Sequence, residues 1–183
     1  FCLWKNFHMG KIIAVKENFL PNEFNKRLQS LFQSNNLAWY FEPRSLSTKD
    51  DGNFMFTHSL FNRKNNFESK WLKLFDPILY FVADIIPFRD CVRMKMNCYP
   101  NRGEIYEHAK HTDVLDPITE KPVDGLITCI YNFTTCNGYS IIGDKKIMSK
   151  ENQIIIFDGD IEHCGATATD VEKRIMLNIN LVK

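Results

Sequence analysis

The 183-residue chain carries almost no net charge: 23 Lys and Arg oppose 22 Asp and Glu, a formal +1. That removes the electrostatic case for a polyanion partner, which needs a surplus of cations. No window approaches eighteen consecutive apolar residues, so no membrane-spanning segment is expected. None of the six cysteines (Cys2, Cys91, Cys98, Cys129, Cys136, Cys164) forms Cys-x-x-Cys, which argues against a thiolate zinc site. A domain of this size does not need disulfides. The thiols therefore read as small buried hydrophobes in a reducing compartment, and a cytoplasmic location follows. Internal repeats, low-complexity tracts and linkers are also missing. Phe1 to His8 contain neither an apolar h-region nor a small-residue cleavage site. His8-Met9 resembles a cloning junction and Met9-Gly10-Lys11 a natural beginning. Residues 1–8 are thus set apart from a single domain over 9–183. Gly10 matches part of a myristoylation signal, but Ala14 stands where Ser or Thr is required.

What is present is a large apolar fraction, 44%, with 15 Phe, enough for a sizeable core. Lys11 to Val15 reads as a short strand. Pro21 suits the start of a helix, with Glu23 in its first turn. Leu20, Phe24, Leu28, Leu31 and Phe32 recur at three- and four-residue steps, so one face of that helix is expected to be buried. Glu42 to Asn53 reads as a loop. Asn66 to Ile86 reads as helix again, with Trp71, Leu72, Phe75, Ile78, Leu79, Val82 and Ile85 as its apolar stripe, and Pro77 kinks it or starts a second segment. After Pro87 the period changes to two. Cys91 to Tyr99, Gly125 to Phe133, Gln153 to Asp158 and Lys173 to Val182 read as strands, with shorter candidates at Tyr139 to Ile142, Lys146 to Ser149 and Glu162 to Cys164. The expected fold class is α+β, mainly β with a helical N-terminal half. Helical support spans 17–86 and packs on one side of a β-sandwich or jelly-roll core spanning 88–183.

Two strands carry an unusual pattern. In the last, Ile175, Leu177, Ile179 and Leu181 share one face, and Arg174, Met176, Asn178 and Asn180 the other. In the first long one, Val92, Met94, Met96 and Cys98 oppose Arg93, Lys95, Asn97 and Tyr99. Core on one side and water on the other explains this. So does the inverse, in which the apolar faces lie under helices and the polar faces line a cavity.

His111 and Asp113 are two apart, so on extended chain they point the same way. His163 lies just past the buried run NQIIIFDG, and Arg174 opens the final strand eleven residues on. Two imidazoles and a carboxylate suit Fe(II) bound on one face with three positions left open. A buried Arg174 would call for an anion. A small diacid bound beside the metal is one source, and Asp158 or Asp160 is the other.

The matching segments are MNCYP (Met96 to Pro100), HTD (His111 to Asp113), ITCIYNF (Ile127 to Phe133), IIIFDGDIEHCG (Ile154 to Gly165) and RIMLNINL (Arg174 to Leu181). Together, and in this order, they resemble the prolyl-hydroxylase-like branch of the 2-oxoglutarate- and Fe(II)-dependent oxygenases. The wording from Asn152 onward is similar to small hydroxylases encoded by bacteriophages. The resemblance covers half the chain and implies a double-stranded β-helix of the cupin-like jelly-roll kind. It implies iron held by His111, Asp113 and His163, and Arg174 paired with the C5 carboxylate of 2-oxoglutarate. Tyr99 would hydrogen-bond that cosubstrate, with Asn97, Asn178 and Tyr131 as further cosubstrate-side candidates. The animal enzymes have two adjacent Tyr where this chain has Tyr131-Asn132, so hydrogen bonding there differs. The implied partners are dioxygen and a peptide, protein or small-molecule substrate, with ascorbate as a candidate reductant.

The implied activity is hydroxylation of an unactivated C–H, foremost in a prolyl residue, with 2-oxoglutarate decarboxylated to succinate and CO2. A nucleic-acid demethylase of the same superfamily typically carries a second Arg six residues after the first; here that position is Asn180. A halogenase would lack the carboxylate that Asp113 supplies. A zinc hydrolase or a catalytically silent cupin-like binding module would leave Arg174 without a task. His108, three residues before His111, reads as a rim residue, and His58 as a core or pocket-edge residue. Asp116 to Asp124 reads as a loop beside the metal, a candidate lid.

Overall fold

The computed structural model describes residues 10–34, 36–43, 52–113 and 125–183. Residues 1–8 and the candidate lid at Asp116 to Asp124 therefore lie outside the described residues, as does most of the Glu42 to Asn53 loop. The architecture is a jelly roll of two facing sheets. Strand β1 spans Ile12–Lys16, and helix α1 spans Asn22–Ser30. Strands β2 (Tyr40–Glu42), β3 (Met55–Asn62) and β4 (Phe67–Glu68) follow. Then come two short helices, α2 (Leu72–Phe75) and α3 (Ile78–Ala83). The remaining strands are β5 (Asp90–Pro100), β6 (Leu126–Asn132), β7 (Tyr139–Ile142), β8 (Lys145–Met148), β9 (Gln153–Asp158), β10 (His163–Gly165) and β11 (Lys173–Val182). The large sheet runs β1-β9-β6-β11-β5-β3-β2, with β4 paired to β3; the small sheet runs β10-β7-β8. Every pairing among the described residues is antiparallel.

The helical N-terminal half is a correction. Helix amounts to 14% of the described residues against 43% strand. The stripe from Trp71 to Ile85 does face the core: Phe75, Ile78 and Val82 are fully buried, and Trp71, Leu72, Leu79 and Ile85 pack around them. Continuity fails at Pro77, which has no N–H to donate and caps the start of α3. Asn66 to Glu68 is turn and strand rather than helix, because Asn66 takes a positive φ of 48° and Phe67 pairs with Asn62. Strand β3 was not expected at all.

The larger core lies between the helices and the large sheet. Leu28, Phe75, Ile78 and Val82 meet Met94, Met96, Ile175, Leu177, Ile179 and Leu181 there. A fully buried side chain of this kind contributes roughly 1.5–3 kcal/mol relative to exposure. The apolar faces of β5 and β11 are thus consumed under the helices. Of the two readings of their alternation, the inverted one holds, and their polar faces turn inward toward the small sheet. No helix among the described residues is long and apolar enough to cross a membrane. Cys98, Cys129, Cys136 and Cys164 are buried free thiols and Cys91 a half-buried one; Cys2 lies outside the described residues.

Candidate active site

The inner face of the large sheet is built by alternation across three neighbouring strands. β5 presents Arg93, Lys95, Asn97 and Tyr99, β11 presents Arg174, Met176, Asn178 and Asn180, and β6 presents Thr128, Ile130 and Asn132. The register sets Asn180 opposite Arg93, Asn178 opposite Lys95 and Arg174 opposite Tyr99.

The chain from His111 to Asp113 runs antiparallel to the segment ending at His163. His111 N–H donates to the His163 carbonyl at 3.0 Å, and His163 N–H to the His111 carbonyl at 2.7 Å. Such a reciprocal pair puts both side chains on one side, and the imidazole centroids are 4.5 Å apart. Asp113 N–H donates to the Gly159 carbonyl, which fixes the carboxylate two residues along the same face. One ligand atom from each of His111, Asp113 and His163 lies within 4.8 Å of the others.

The donor chemistry fits a divalent ion. His163 Nδ1 lies 2.9 Å from the Ile161 carbonyl and His111 Nδ1 3.3 Å from the Ala109 carbonyl. A carbonyl only accepts, so each Nδ1 carries a proton, which in the neutral imidazole leaves the lone pair on Nε2. His163 Nε2 is buried, has no hydrogen-bond partner among the described residues, and sits 3.6 Å from Asp113 Oδ2. Burial, then the neighbouring His163, lowers His111 to about 4, so it is neutral at pH 7. This is the two-imidazole, one-carboxylate set that suits Fe(II) with positions left for other ligands.

Asp113 is held on both oxygens. Arg93 Nη2 donates to Oδ1 at 2.9 Å, while Thr128 Oγ1 at 2.5 Å and Asn180 Nδ2 at 2.8 Å donate to Oδ2. Arg93 Nε also donates to Asn180 Oδ1 at 2.8 Å, so the two clamping residues brace each other. Burial alone would raise the Asp113 carboxyl. Arg93, His163 and Thr128 outweigh it and hold the group well below the usual carboxylate range. Arg93 and Thr128 were not among the expected site residues, and Asn180 was noted only for what it replaces. The alternation of β5 and β11 already set Arg93 and Asn180 on the polar face.

Arg174 is 0% exposed. Neither Asp158 nor Asp160 pairs with it: Asp158 accepts from Lys11 N–H and Lys183, and Asp160 is exposed. Nη1 donates to the carbonyls of Tyr139 (2.6 Å) and Ala166 (2.8 Å), and Nη2 to Asn132 Oδ1 (3.3 Å) and Ser140 Oγ (3.0 Å). Its charge therefore meets no carboxylate among the described residues, and its Nε–H has no partner there. A buried guanidinium in that state fits an anionic guest. A two-point contact requires Asn132 or Ser140 to give up its hydrogen bond. Glycine is needed beside it: a Cβ at Gly138 would lie 2.8 Å from the Thr167 carbonyl and 2.9 Å from Arg174 Cδ. The Tyr99 ring is 5.9 Å from the guanidinium carbon. Asn97 and Asn178 share the inner face, and their Oδ1 atoms are buried without partners among the described residues.

Two other expectations are corrected. Tyr131 turns to the helix side, where its hydroxyl donates to Asn25 or Asn152 Oδ1 (2.7 and 2.8 Å) and its ring packs on Phe133. The period of two then assigns the inward position to Asn132, the Arg174 partner. His108 is no rim residue; it is 4% exposed and its ring lies 4.3 Å from Tyr99. His58 is a core residue, in line with the expectation, tied to the Ala38 carbonyl and Ser69 Oγ.

No family model matches the chain, and no curated protein matches it. Among solved structures it is similar to an oxidoreductase of the 2OG-Fe(II) oxygenase family from Burkholderia pseudomallei, at TM-score 0.63 and 11% identity, over 94% of this chain and 84% of that one. It is also similar to the viral collagen prolyl hydroxylase of Paramecium Bursaria Chlorella virus-1 in complex with 2OG, at TM-score 0.58 and 15% identity, over 94% and 97%. A third is the non-heme alpha-ketoglutarate-dependent epimerase SnoN of nogalamycin biosynthesis, at TM-score 0.61 and 9% identity, over 93% and 76%. At these identities the likeness establishes the fold: the chain has the jelly roll of the 2-oxoglutarate-Fe(II) oxygenases, prolyl hydroxylases among them.

Proposed function

We propose that this chain is an Fe(II)- and 2-oxoglutarate-dependent dioxygenase that hydroxylates an unactivated C–H, with a prolyl residue of a peptide or protein as the leading substrate. The observation that carries the reading is a pairing on one inner face. His111, Asp113 and His163 converge there, and so does a fully buried guanidinium, Arg174, that meets no carboxylate among the described residues. A zinc hydrolase or a silent binding module needs the first and has no use for the second. A nucleic-acid demethylase is disfavoured by the near-zero net charge and by Asn180, whose carboxamide orients Asp113.

In this reading His111, Asp113 and His163 hold iron, and Arg174 holds the far carboxylate of 2-oxoglutarate, with Tyr99, Asn97 and Asn178 beside it. Bound together, iron and 2-oxoglutarate supply dioxygen activation, coupling decarboxylation to succinate and CO2 with insertion of oxygen into a C–H bond. The protein supplies placement. The Nδ1–H contacts keep both imidazoles in the ligating tautomer, and the Arg93–Asn180–Thr128 clamp keeps the Asp113 carboxylate ionised and oriented. A charge-assisted contact from Arg174 contributes on the order of 1.5–3 kcal/mol to cosubstrate binding. Burial of Asp113, His163 and Arg174 keeps bulk water off those three side chains.

The prolyl assignment leans on the similar viral collagen prolyl hydroxylase; the similar epimerase marks how far chemistry on this fold departs from it. The free thiols favour a reducing, cytoplasmic setting, and ascorbate is the reductant to include in assays. The test is dioxygen-dependent succinate formation across proline peptides, free amino acids and methylated oligonucleotides. Stimulation by a proline peptide supports the full reading. Stimulation only by another class retains the oxygenase and rejects the prolyl substrate. No 2-oxoglutarate turnover by iron-loaded protein rejects both.

A further inference from the structure

The inner face of β5 carries a second cation that the proposed chemistry leaves idle. Lys95 lies one step along that face from Arg93, opposite Asn178 of β11 on one side and Ser59 of β3 on the other. It is half-buried, and among the described residues no ion pair or hydrogen bond engages it. The two acids that act on it are Glu42, exposed on edge strand β2, and Asp113, already taken by Arg93. Burial, followed by the nearby Arg93, brings the Lys95 ammonium down to about 8, as expected of a cation short of counter-charge. The Asn178 carboxamide beside it has a buried oxygen with no partner among the described residues.

Loading the site sharpens the imbalance. A divalent ion, the guanidiniums of Arg93 and Arg174 and the Lys95 ammonium then face the carboxylate of Asp113 and the two of 2-oxoglutarate. Two positive charges remain, and a neutral prolyl peptide leaves both unmet. We infer that Lys95, with Asn178 at its side, binds a carboxylate of the primary substrate, and that this carboxylate lies close to the carbon that reacts. The inference rests on the oxygenase reading and narrows its substrate class to acids. The carboxylate belongs either to a free amino acid or to an acidic residue next to the target in a peptide.

The test is calorimetric binding to Ni(II)-loaded protein saturated with 2-oxoglutarate, which does not depend on turnover. Each acid is paired with its neutral amide: L-proline with L-prolinamide, L-leucine with L-leucinamide, and acetyl-Pro-Asp-amide with acetyl-Pro-Asn-amide. At least one acid is expected to bind about tenfold or more tightly than its amide. That preference should vanish in Lys95→Met and in Lys95→Gln, and persist in Lys95→Arg. A response of the amino-acid pairs identifies a free amino acid, and a response of the dipeptide pair identifies an acidic peptide. Equal binding of acids and amides, no acid binding, or a preference that survives loss of Lys95 overturns the inference. The Fe(II)–2-oxoglutarate absorption of the wild-type protein reports on the oxygenase reading separately. Absorption present with no acid preference removes only the role given to Lys95; absorption missing with iron bound removes the reading beneath it.

Discussion

Replacing Arg93 by Met should destabilise the metal-free protein far more than the metal-loaded one. Arg93 Nη2 lies 2.9 Å from Asp113 Oδ1, and the side chains are 26% and 3% exposed. At that separation, an effective dielectric of about 20 gives a gross attraction of roughly 6 kcal/mol. Partial exposure of the guanidinium discounts this, and stranding the carboxylate is expected to cost about 3 kcal/mol of folding stability. A bound divalent ion takes over as counter-charge to Asp113. The loss in loaded protein should then fall to about 1 kcal/mol, the share of the hydrogen bonds to Asp113 and Asn180. The assay is urea unfolding of wild type and Arg93→Met at pH 7, each metal-free and Ni(II)-loaded. The variant should gain about 2 kcal/mol more from the metal than wild type does, roughly thirtyfold in affinity. The pair also has a pH signature. Its contribution is present above the unfolded carboxyl pKa of about 3.9 and is lost as pH falls through the lower folded value. Equal losses with and without metal, or no loss in metal-free protein, would refute the view that Arg93 stands in for the ion.

His111→Ala, Asp113→Ala and His163→Ala should each cut metal retention in anaerobic dialysis and abolish 2-oxoglutarate-dependent succinate formation; undiminished retention by a folded variant counts against the ligand set. Gly165→Ala places a Cβ 2.9 Å from Tyr99 Cε2 and Oη. Displacing that ring should cost about 1–3 kcal/mol in urea unfolding and raise the KM for 2-oxoglutarate several-fold, and an unchanged KM would separate Tyr99 from the cosubstrate. Lys95 titrates near 8 in the folded chain against 10.5 ordinarily. Between those values the unfolded chain holds the proton that the folded chain has released, so stability should rise with pH across that window. Urea midpoints from pH 7.5 to 10 should show this rise in wild type and a flatter profile in Lys95→Met; parallel profiles would contradict it.

The C-terminal half was readable because its strands repeat with period two and are bounded by turns. Gln153–Asp158 and Lys173–Val182 fall where the pattern put them. That period also set Arg93, Lys95, Asn97 and Tyr99 on one face, and in the same way His111 beside Asp113. It was silent on which strands adjoin. The clamp on Asp113 draws Arg93 from β5, Thr128 from β6 and Asn180 from β11, a set defined by register across three strands. The N-terminal half misled for a different reason. A helical stripe fixes which side chains are buried, and Phe75, Ile78 and Val82 are buried; it does not fix whether one helix or two carries them. Strand β3 alternates poorly because both of its faces are covered in part, with His58 bonded inside the core. Tyr131 was misassigned because resemblance was followed where alternation would have chosen Asn132.

Everything in the functional reading requires iron and 2-oxoglutarate to meet within one coordination sphere on this inner face. Anaerobic addition of Fe(II) and then 2-oxoglutarate to the purified protein tests that without any knowledge of substrate. A weak metal-to-ligand charge-transfer band should appear on adding 2-oxoglutarate, saturate at one equivalent, and be absent in His163→Ala. Iron demonstrably bound to wild-type protein, with no band at saturating 2-oxoglutarate, would contradict the proposed activity.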